Sequence, residues 1–164
     1  MRAMVRHRDP GMPSARRTVG EPGLYRAVQI RDVSRPLQPG GTELVLKLLL
    51  IYNPQAGNGR GRKMLPRIQA RFRSLGCKVD LKLTERQGHG ISLTESADLS
   101  GYDGVVAAGG DGTTYEVVNG YYRNPSPEKP PLGIIPNGTG NAFVREMDLF
   151  GSDWERAIDI IVRG

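Results

Sequence analysis

The chain has 164 residues, of which 38% are hydrophobic and 24% charged, with a formal net charge of +6 and one cysteine. A single cysteine excludes an internal disulfide, and no apolar run approaches the roughly 20 residues that a membrane-spanning helix needs. The composition therefore predicts a protein of the reducing cytoplasm whose only membrane contact would be peripheral.

The first 43 residues form a basic tail. They hold eight arginines against four acidic residues, which is +4 of the net charge, and five of the twelve prolines. Without sustained hydrophobic periodicity, this composition predicts disorder. An over-extended start of translation is at least as consistent with the tail as a targeting sequence, because targeting sequences are poor in acidic residues. No nucleic-acid partner is predicted, because Tyr25 alone offers a ring for base stacking.

Residues 44–164 are predicted to form one nucleotide-binding domain in which strands alternate with helices. Such alternation favours an α/β fold, a parallel sheet with helices on both faces. We predict strands at 44–52, 77–83, 103–107 and 132–135, and helices at 62–75, 91–98, 113–122, 140–147 and 153–162.

A turn rich in Asn, Pro and Gly follows the first predicted strand, with the sequence Asn53-Pro54-Gln55-Ala56-Gly57. Asn53 could hydrogen-bond a nucleotide or brace the loop, and Gly57 could let backbone amides face a phosphate. The Walker pattern does not fit, because Arg62 and Met64 stand where it requires glycine and a hydroxyl residue. The dinucleotide pattern of three glycines does not fit either.

Six basic residues, with no acid among them, accompany the next predicted helix. They are Arg60, Arg62, Lys63, Arg67, Arg71 and Arg73. A solvated helix face is the favoured interpretation. The alternative is attraction to anionic lipid headgroups, at about 1 kcal/mol per charge near the surface.

A glycine-rich loop around one carboxylate follows the third predicted strand, with the sequence Gly109-Gly110-Asp111-Gly112-Thr113. Glycines let backbone amides approach phosphate oxygens closely, and the helix after Thr113 and Thr114 would add its N-terminal amides. Asp111 would repel phosphate there unless it held a metal ion or took a proton from a substrate hydroxyl. The alternative is a β-turn with a solvated Asp111, because short motifs also occur by chance.

A third loop, Pro136-Asn137-Gly138-Thr139-Gly140-Asn141, follows the fourth predicted strand. Thr139 can donate a hydrogen bond to a phosphate, and Asn141 is a natural helix cap. In a parallel sheet, loops of this kind gather at one edge, where ligands bind. The three loops together predict a nucleotide site at that edge.

The three motifs, in this order and at these separations, resemble those of the catalytic domain in the diacylglycerol kinase and sphingosine kinase superfamily. The resemblance runs from about Leu44 to Gly164 and is closest to bacterial-type lipid kinases, whereas the GGDGT element alone is also similar to one in NAD kinases. It implies a kinase that uses ATP and Mg²⁺ and transfers the γ-phosphate to a lipid hydroxyl, with a diacylglycerol- or sphingoid-like acceptor.

The resemblance also implies roles for particular residues. It assigns catalysis to Asp111, either in aligning the acceptor hydroxyl or in positioning the metal, and it lets Glu116 organise metal or polar substrate groups. The nucleotide-binding residues that it implies are Asn53, Pro54, Gln55, Ala56, Gly57, Thr84, Gly109, Gly110, Asp111, Gly112, Thr113, Thr114, Tyr115, Gly138, Thr139 and Asn141.

Three features depart from the family pattern. Tyr115 stands where the family usually has Asn, and Ala142 stands where many members have an acidic residue, so the lipid class stays open. The second, mostly β domain of the family is expected to be absent, because the chain stops at Gly164. An NAD kinase-like enzyme and a non-catalytic nucleotide-binding module remain the alternatives.

Overall fold

The computed structural model describes residues 45–137 and 153–163. Four parallel strands form a sheet at its centre, in the order β2-β1-β3-β4. The strands are β1 (Lys47–Tyr52), β2 (Lys78–Leu83), β3 (Gly104–Gly109) and β4 (Leu132–Pro136). The predicted parallel α/β sheet is therefore confirmed. The predictions for the tail and for the helix at 140–147 fall outside the described residues.

Helices cover both faces of this sheet, as the alternation of elements predicts. They are α1 (Gly61–Ser74), α2 (His89–Glu95), α3 (Asp111–Arg123) and α4 (Trp154–Arg163), with one short 3₁₀ turn at Leu99–Gly101. Most boundaries differ from the sequence prediction by one to three residues, and two helix starts beside the site have a clear cause. Helix α2 begins two residues early because Gly88 adopts a left-handed turn, with φ of +78°. Helix α3 begins at Asp111 because the Thr114 amide already donates to the Gly110 carbonyl, at 3.0 Å.

Strand β1 lies between two neighbours and is buried on both faces. Leu48, Leu50 and Tyr52 face the core under α1 and α4, whereas Leu49 and Ile51 face the core under α2 and α3. Burying an aliphatic or aromatic side chain of this size contributes about 1.5–3 kcal/mol, so β1 supplies much of the driving force for folding. A strand buried on both sides reads as a continuous apolar run, which is why β1 is easily recognised in the sequence.

The basic residues of α1 divide between packing and solvent. The Arg71 guanidinium donates to both carboxylate oxygens of Asp159 on α4, at 2.6 and 2.8 Å. Arg67 lies over the Trp154 ring, 5.1 Å from its centroid. Of the six, only Arg71 is half-buried, so the predicted solvated face is made of the five exposed residues Arg60, Arg62, Lys63, Arg67 and Arg73. The acids that pair with α1 lie far along the chain, so the local sequence does not reveal them.

Between residues 45 and 137 and in α4, every helix is too short or too polar to cross a lipid bilayer.

Candidate functional site

The site lies at the carboxyl edge of the sheet, where the strand order reverses. From β1 the chain continues toward β2, and from β3 it continues toward β4, so the loops after β1 and β3 diverge and leave a crevice between them. A cavity of about 370 Å³ opens there. Its lining residues are Asn53, Gln55, Thr84, Glu85, Arg86, Gln87, Gly112, Thr113 and Glu116.

Asn53 joins the first two loops to each other. Its backbone amide donates to the Ala108 carbonyl at 2.9 Å, which extends the pairing of β1 with β3. Its side-chain amide donates to the Thr113 hydroxyl at 3.0 Å, and its side-chain oxygen accepts from the Gln55 amide at 2.9 Å. Asn53 thus braces the loop, and its contact with a nucleotide stays a prediction.

Gly57 brings the first loop against the third. Its φ of +62° is left-handed, and a Cβ built there would lie 3.1 Å from the Asn137 carbonyl oxygen. Left-handed φ values continue at Asn58 and Gly59, at +58° and +82°. Glycine is favoured at position 57 because any side chain would meet both backbone strain and a close neighbour.

A buried tyrosine ties the third loop to the start of α1. The Asn137 side-chain amide donates to the Tyr52 hydroxyl at 2.7 Å, and this hydroxyl donates to the Gly61 carbonyl at 2.7 Å. The Asn137 backbone amide donates to the Gly109 carbonyl at 2.9 Å. Burial raises the pKa of Tyr52 to about 12, against the smaller lowering effect of the bond from Asn137. Sequence reasoning did not single out Asn137 or Tyr52.

The glycine-rich loop after β3 becomes the first turn of α3. Gly109 packs closely on Thr113, since a Cβ at Gly109 would lie 2.6 Å from the Thr113 Cβ. Asp111 is the exposed first residue of the helix, whereas Thr113 and Thr114 are buried. The amides of Gly112 and Thr113 precede the first helical hydrogen bond, which Thr114 makes. Such amides at a helix start are donors for an anion, and both residues line the cavity.

The loop between β2 and α2 forms the opposite wall. Thr84 is buried, and its amide donates to the Tyr52 carbonyl at 2.9 Å. The Glu85 amide donates to Nδ1 of His89 at 3.1 Å. Beyond them, both oxygens of Glu116 on α3 accept bonds from backbone amides, Oε1 from Gly88 at 2.7 Å and Oε2 from Gly90 at 2.9 Å. This wall is therefore attached to β1 at one end and to α3 at the other.

The structure gathers the predicted site residues unevenly around the cavity. Six of them line it: Asn53, Gln55, Thr84, Gly112, Thr113 and Glu116. Eight others belong to the loops beside it: Pro54, Ala56, Gly57, Gly109, Gly110, Asp111, Thr114 and Tyr115. Of these, Tyr115 is 68% exposed on the outer side of α3. Gly138, Thr139 and Asn141 lie outside the described residues.

Three lining residues were missed by sequence reasoning, namely Glu85, Arg86 and Gln87. The available signal was their position directly after Thr84 in a loop that follows a strand. Among the described residues that line this cavity, Arg86 is the only cation, and it stands beside two acids, Glu85 and Glu116.

Residues 47–164 match the family model described as the diacylglycerol kinase catalytic domain. A diacylglycerol kinase of Staphylococcus haemolyticus (strain JCSC1435) is 41% identical over 113 residues, which are 69% of this chain and 33% of that protein. A diacylglycerol kinase of Bacillus subtilis (strain 168) is 36% identical over 115 residues, 70% of this chain and 37% of that protein.

Solved structures give the same result. The crystal structure of a diacylglycerol kinase from Bacillus anthracis str. Sterne superposes with a TM-score of 0.62 at 30% identity. The match covers 74% of this chain and 43% of that one. The chain thus spans about a third of the length of the curated relatives that it matches.

Proposed function

The chain belongs to the diacylglycerol kinase catalytic-domain family, and from this premise we propose that it supplies the nucleotide-binding half of an ATP-dependent lipid kinase. The complete enzyme would transfer the γ-phosphate of ATP to a hydroxyl of a diacylglycerol- or sphingoid-like lipid. Residues 44–164 would form the nucleotide domain. The lipid would be held largely by a segment that corresponds to the part of the relatives outside the match.

The observation that carries this proposal is the cavity between β1 and β3, with the first turn of α3 in its wall. The amides of Gly112 and Thr113 offer hydrogen bonds to a phosphate, and the helix dipole favours negative charge at that end. Arg86 on the opposite wall would neutralise a further part of the triphosphate. The lining also holds two carboxylates, Glu85 and Glu116, whose repulsion of phosphate a bound Mg²⁺ would offset.

Magnesium fits this donor set. Mg²⁺ is usually held by one or two carboxylates together with phosphate oxygens and water, and Asp111 places one carboxylate at the start of α3, beside the cavity. Among residues 45–137 and 153–163, no cluster of three or more His, Cys, Asp or Glu side chains could hold a metal alone. The ion would therefore arrive with ATP, and when bound it would neutralise charge on the phosphate oxygens.

Asp111 would act either on the acceptor hydroxyl or on the metal. Phosphoryl transfer depends mainly on positioning and on neutralising the charge of the transferred group, which the helix amides and Arg86 would do. A carboxylate at this place can accept the hydroxyl proton or hold the metal, and both roles require its negative charge. Glu116 keeps further lone pairs beside its two backbone bonds, so its predicted contact with metal or substrate remains part of the proposal.

Peripheral membrane contact would come from the exposed cations of α1. Arg62, Lys63 and Arg73 are exposed, and each would contribute about 1 kcal/mol near an anionic surface. A cytoplasmic enzyme that visits the membrane agrees with this arrangement. Family membership favours the lipid kinase over the NAD kinase-like alternative. An assay of phosphate transfer distinguishes the lipid kinase from a module that binds nucleotide without transferring phosphate.

A substitution at Gly112 tests the proposal directly. A Cβ there meets no atom within 4 Å, so Gly112→Leu is expected to fold normally while its side chain fills the cavity beside α3. We expect calorimetric titration with Mg-ATP to show saturable binding by the wild type and at least tenfold weaker binding by the variant, a loss of about 1.4 kcal/mol. Tyr122→Leu, at an exposed position of the same helix, is the control and should bind like the wild type.

Either of two results would count against the nucleotide site. One is a folded wild-type chain that does not bind Mg-ATP, and the other is equal binding by Gly112→Leu. If binding is confirmed, radioactive phosphate transfer to diacylglycerol, sphingosine or NAD by a chain extended to the length of its relatives would identify the acceptor. A non-catalytic module would bind the nucleotide and transfer phosphate to none of them.

A further inference from the structure

One carboxylate fastens the loop wall of the cavity from the other side of the site. Glu116 lies in the second turn of α3, and its two oxygens accept bonds from the backbone amides of Gly88 and Gly90 at 2.7 and 2.9 Å. These lengths are typical of charge-assisted hydrogen bonds, which are about twice as strong as neutral ones. The bonds join two segments far apart in the sequence.

The loop that receives these bonds carries four of the nine lining residues, Thr84 to Gln87. At one end it is tied to β1 through the Thr84 amide. At the other end, the Gly88 amide is held by Glu116. Between these two attachments, the Glu85 amide donates to Nδ1 of His89 and the Arg86 carbonyl accepts from the His89 amide at 3.2 Å, so the span that carries Arg86 is bound to the first residue of α2. Glu116 holds Gly88 and Gly90, on either side of His89, so it fixes the place to which the backbone at Arg86 is bound.

The fit between Glu116 and α2 is close. A Cβ built at Gly90 would lie 2.9 Å from Oε2 of Glu116 and 3.0 Å from its Cβ. The first distance is shorter than real Cβ atoms make and the second is unusually tight, so a side chain at position 90 must displace the carboxylate or the helix. The absence of a side chain at Gly90 therefore allows the carboxylate to reach both amides.

We propose that Glu116 is a positioning residue, which fixes the loop of residues 84–90 so that Arg86 and Gln87 stand ready to bind the nucleotide. This inference rests on the proposed function of the cavity. The carboxylate acts through the loop, whether or not it also contacts metal or substrate. It couples the glycine-rich loop at the start of α3 to the opposite wall, so that both sides of the cavity are ordered before nucleotide arrives.

Substitution of Glu116 tests the proposal in the nucleotide-free chain and in the titration with Mg-ATP. Glu116→Ala removes both acceptors, and Glu116→Gln restores one of them, because its amide group presents an oxygen to one N–H and an NH₂ to the other. We expect the Gly88 and Gly90 amides to exchange hydrogen about tenfold faster in Glu116→Gln and faster still in Glu116→Ala. The dissociation constant for Mg-ATP should rise in the same order, by about tenfold in Glu116→Gln.

Two further variants make the test specific. Glu128→Gln removes the same charge from an exposed loop, and it should leave both loop exchange and the affinity for nucleotide unchanged. Gly90→Ala disturbs the same contact from the α2 side and should reproduce the effects of Glu116→Gln. Because both changes act on one contact, the combined variant should be scarcely worse than either alone.

Three results would overturn the inference. The first is that the Gly88 and Gly90 amides exchange at the wild-type rate in Glu116→Ala. The second is that these amides exchange faster but the affinity for Mg-ATP is unchanged. The third is that amides of β1 and β3 are accelerated as much as those of Gly88 and Gly90. The last would mean that the whole domain, and not the loop, had been destabilised. A wild-type chain that binds no nucleotide would overturn the proposed function as well, whereas normal binding by Glu116→Ala overturns this inference alone.

Discussion

Replacing Asn53 by Asp tests separately whether this side chain joins the two loops and whether its lack of charge allows nucleotide phosphates to bind. Aspartate has the same shape, and its oxygen can still accept from the Gln55 amide. The Thr113 hydroxyl, which accepts from Asn53 in the native chain, can rotate and donate to the second oxygen. We therefore expect Asn53→Asp to unfold with a free energy within about 0.5–1 kcal/mol of the wild type.

The affinity for nucleotide should respond much more strongly. Asn53 lines the cavity, so Asn53→Asp adds a negative charge to its wall. At an effective dielectric constant of about 20, two like charges about 8 Å apart repel by about 2 kcal/mol. This is a roughly thirtyfold rise in the dissociation constant for each phosphate charge at that distance.

Asn53→Ala should have the opposite effect, a larger loss of stability than Asn53→Asp and a smaller loss of affinity for nucleotide. It loses both side-chain bonds, at about 1 kcal/mol each, and adds no charge. Denaturant unfolding should therefore show a loss of about 2 kcal/mol, whereas calorimetry should show a smaller change in affinity for Mg-ATP than in Asn53→Asp. The reasoning is refuted if Asn53→Asp binds Mg-ATP like the wild type, or if it is destabilised as much as Asn53→Ala.

Three further substitutions test the packing around the site and between the helices. Gly109→Ala should cost about 1–3 kcal/mol of unfolding free energy in denaturant, because its Cβ would collide with Thr113; a neutral result would show that α3 can shift at no cost. Above pH 10 the unfolded chain loses the Tyr52 proton first, because the folded pKa is raised to about 12. The wild type should therefore lose up to about 3 kcal/mol between pH 10 and 12, and a Tyr52→Phe variant should lose less over that range, as equilibrium unfolding at each pH will show. Arg71→Ala should lower stability by about 1–3 kcal/mol by removing both bonds to Asp159, and an unchanged midpoint of unfolding would mean that the pair contributes nothing net.

The strands and the two glycine-rich loops could be predicted because their signals are local. Each of β1 and β3 is an apolar run that stops at a turn residue, and such a pattern needs no knowledge of the neighbouring strands. The sequence pattern predicts the start of α3 two residues late, since Gly110 and Asp111 resemble loop residues until the bond from Thr114 to Gly110 is known. Within residues 45–137 and 153–163, local patterns therefore predict the elements correctly and their ends less well.

The contacts that build the site could not be predicted, because they join distant parts of the chain. Asn53 and Thr113 are 60 residues apart, and Gly88 and Glu116 are 28 apart. Such pairs meet only after the strand order is fixed, and a sequence pattern does not state that β1 lies between β2 and β3. For the same reason Arg86 was overlooked, since a charged residue in a surface loop has no distinguishing local signal.

The central place of β1 has a consequence for how the protein is made. Leu48 pairs with Val79 on one side and with Gly104 on the other, so its second partner strand emerges from the ribosome later than β1 by the time needed to synthesise the residues between them. At about 5–20 residues per second, this interval lasts several seconds. During that time the apolar segment Leu48–Tyr52 has one unpaired edge, a condition that favours aggregation. Nascent chains that end before β3 should therefore be the ones that need a chaperone.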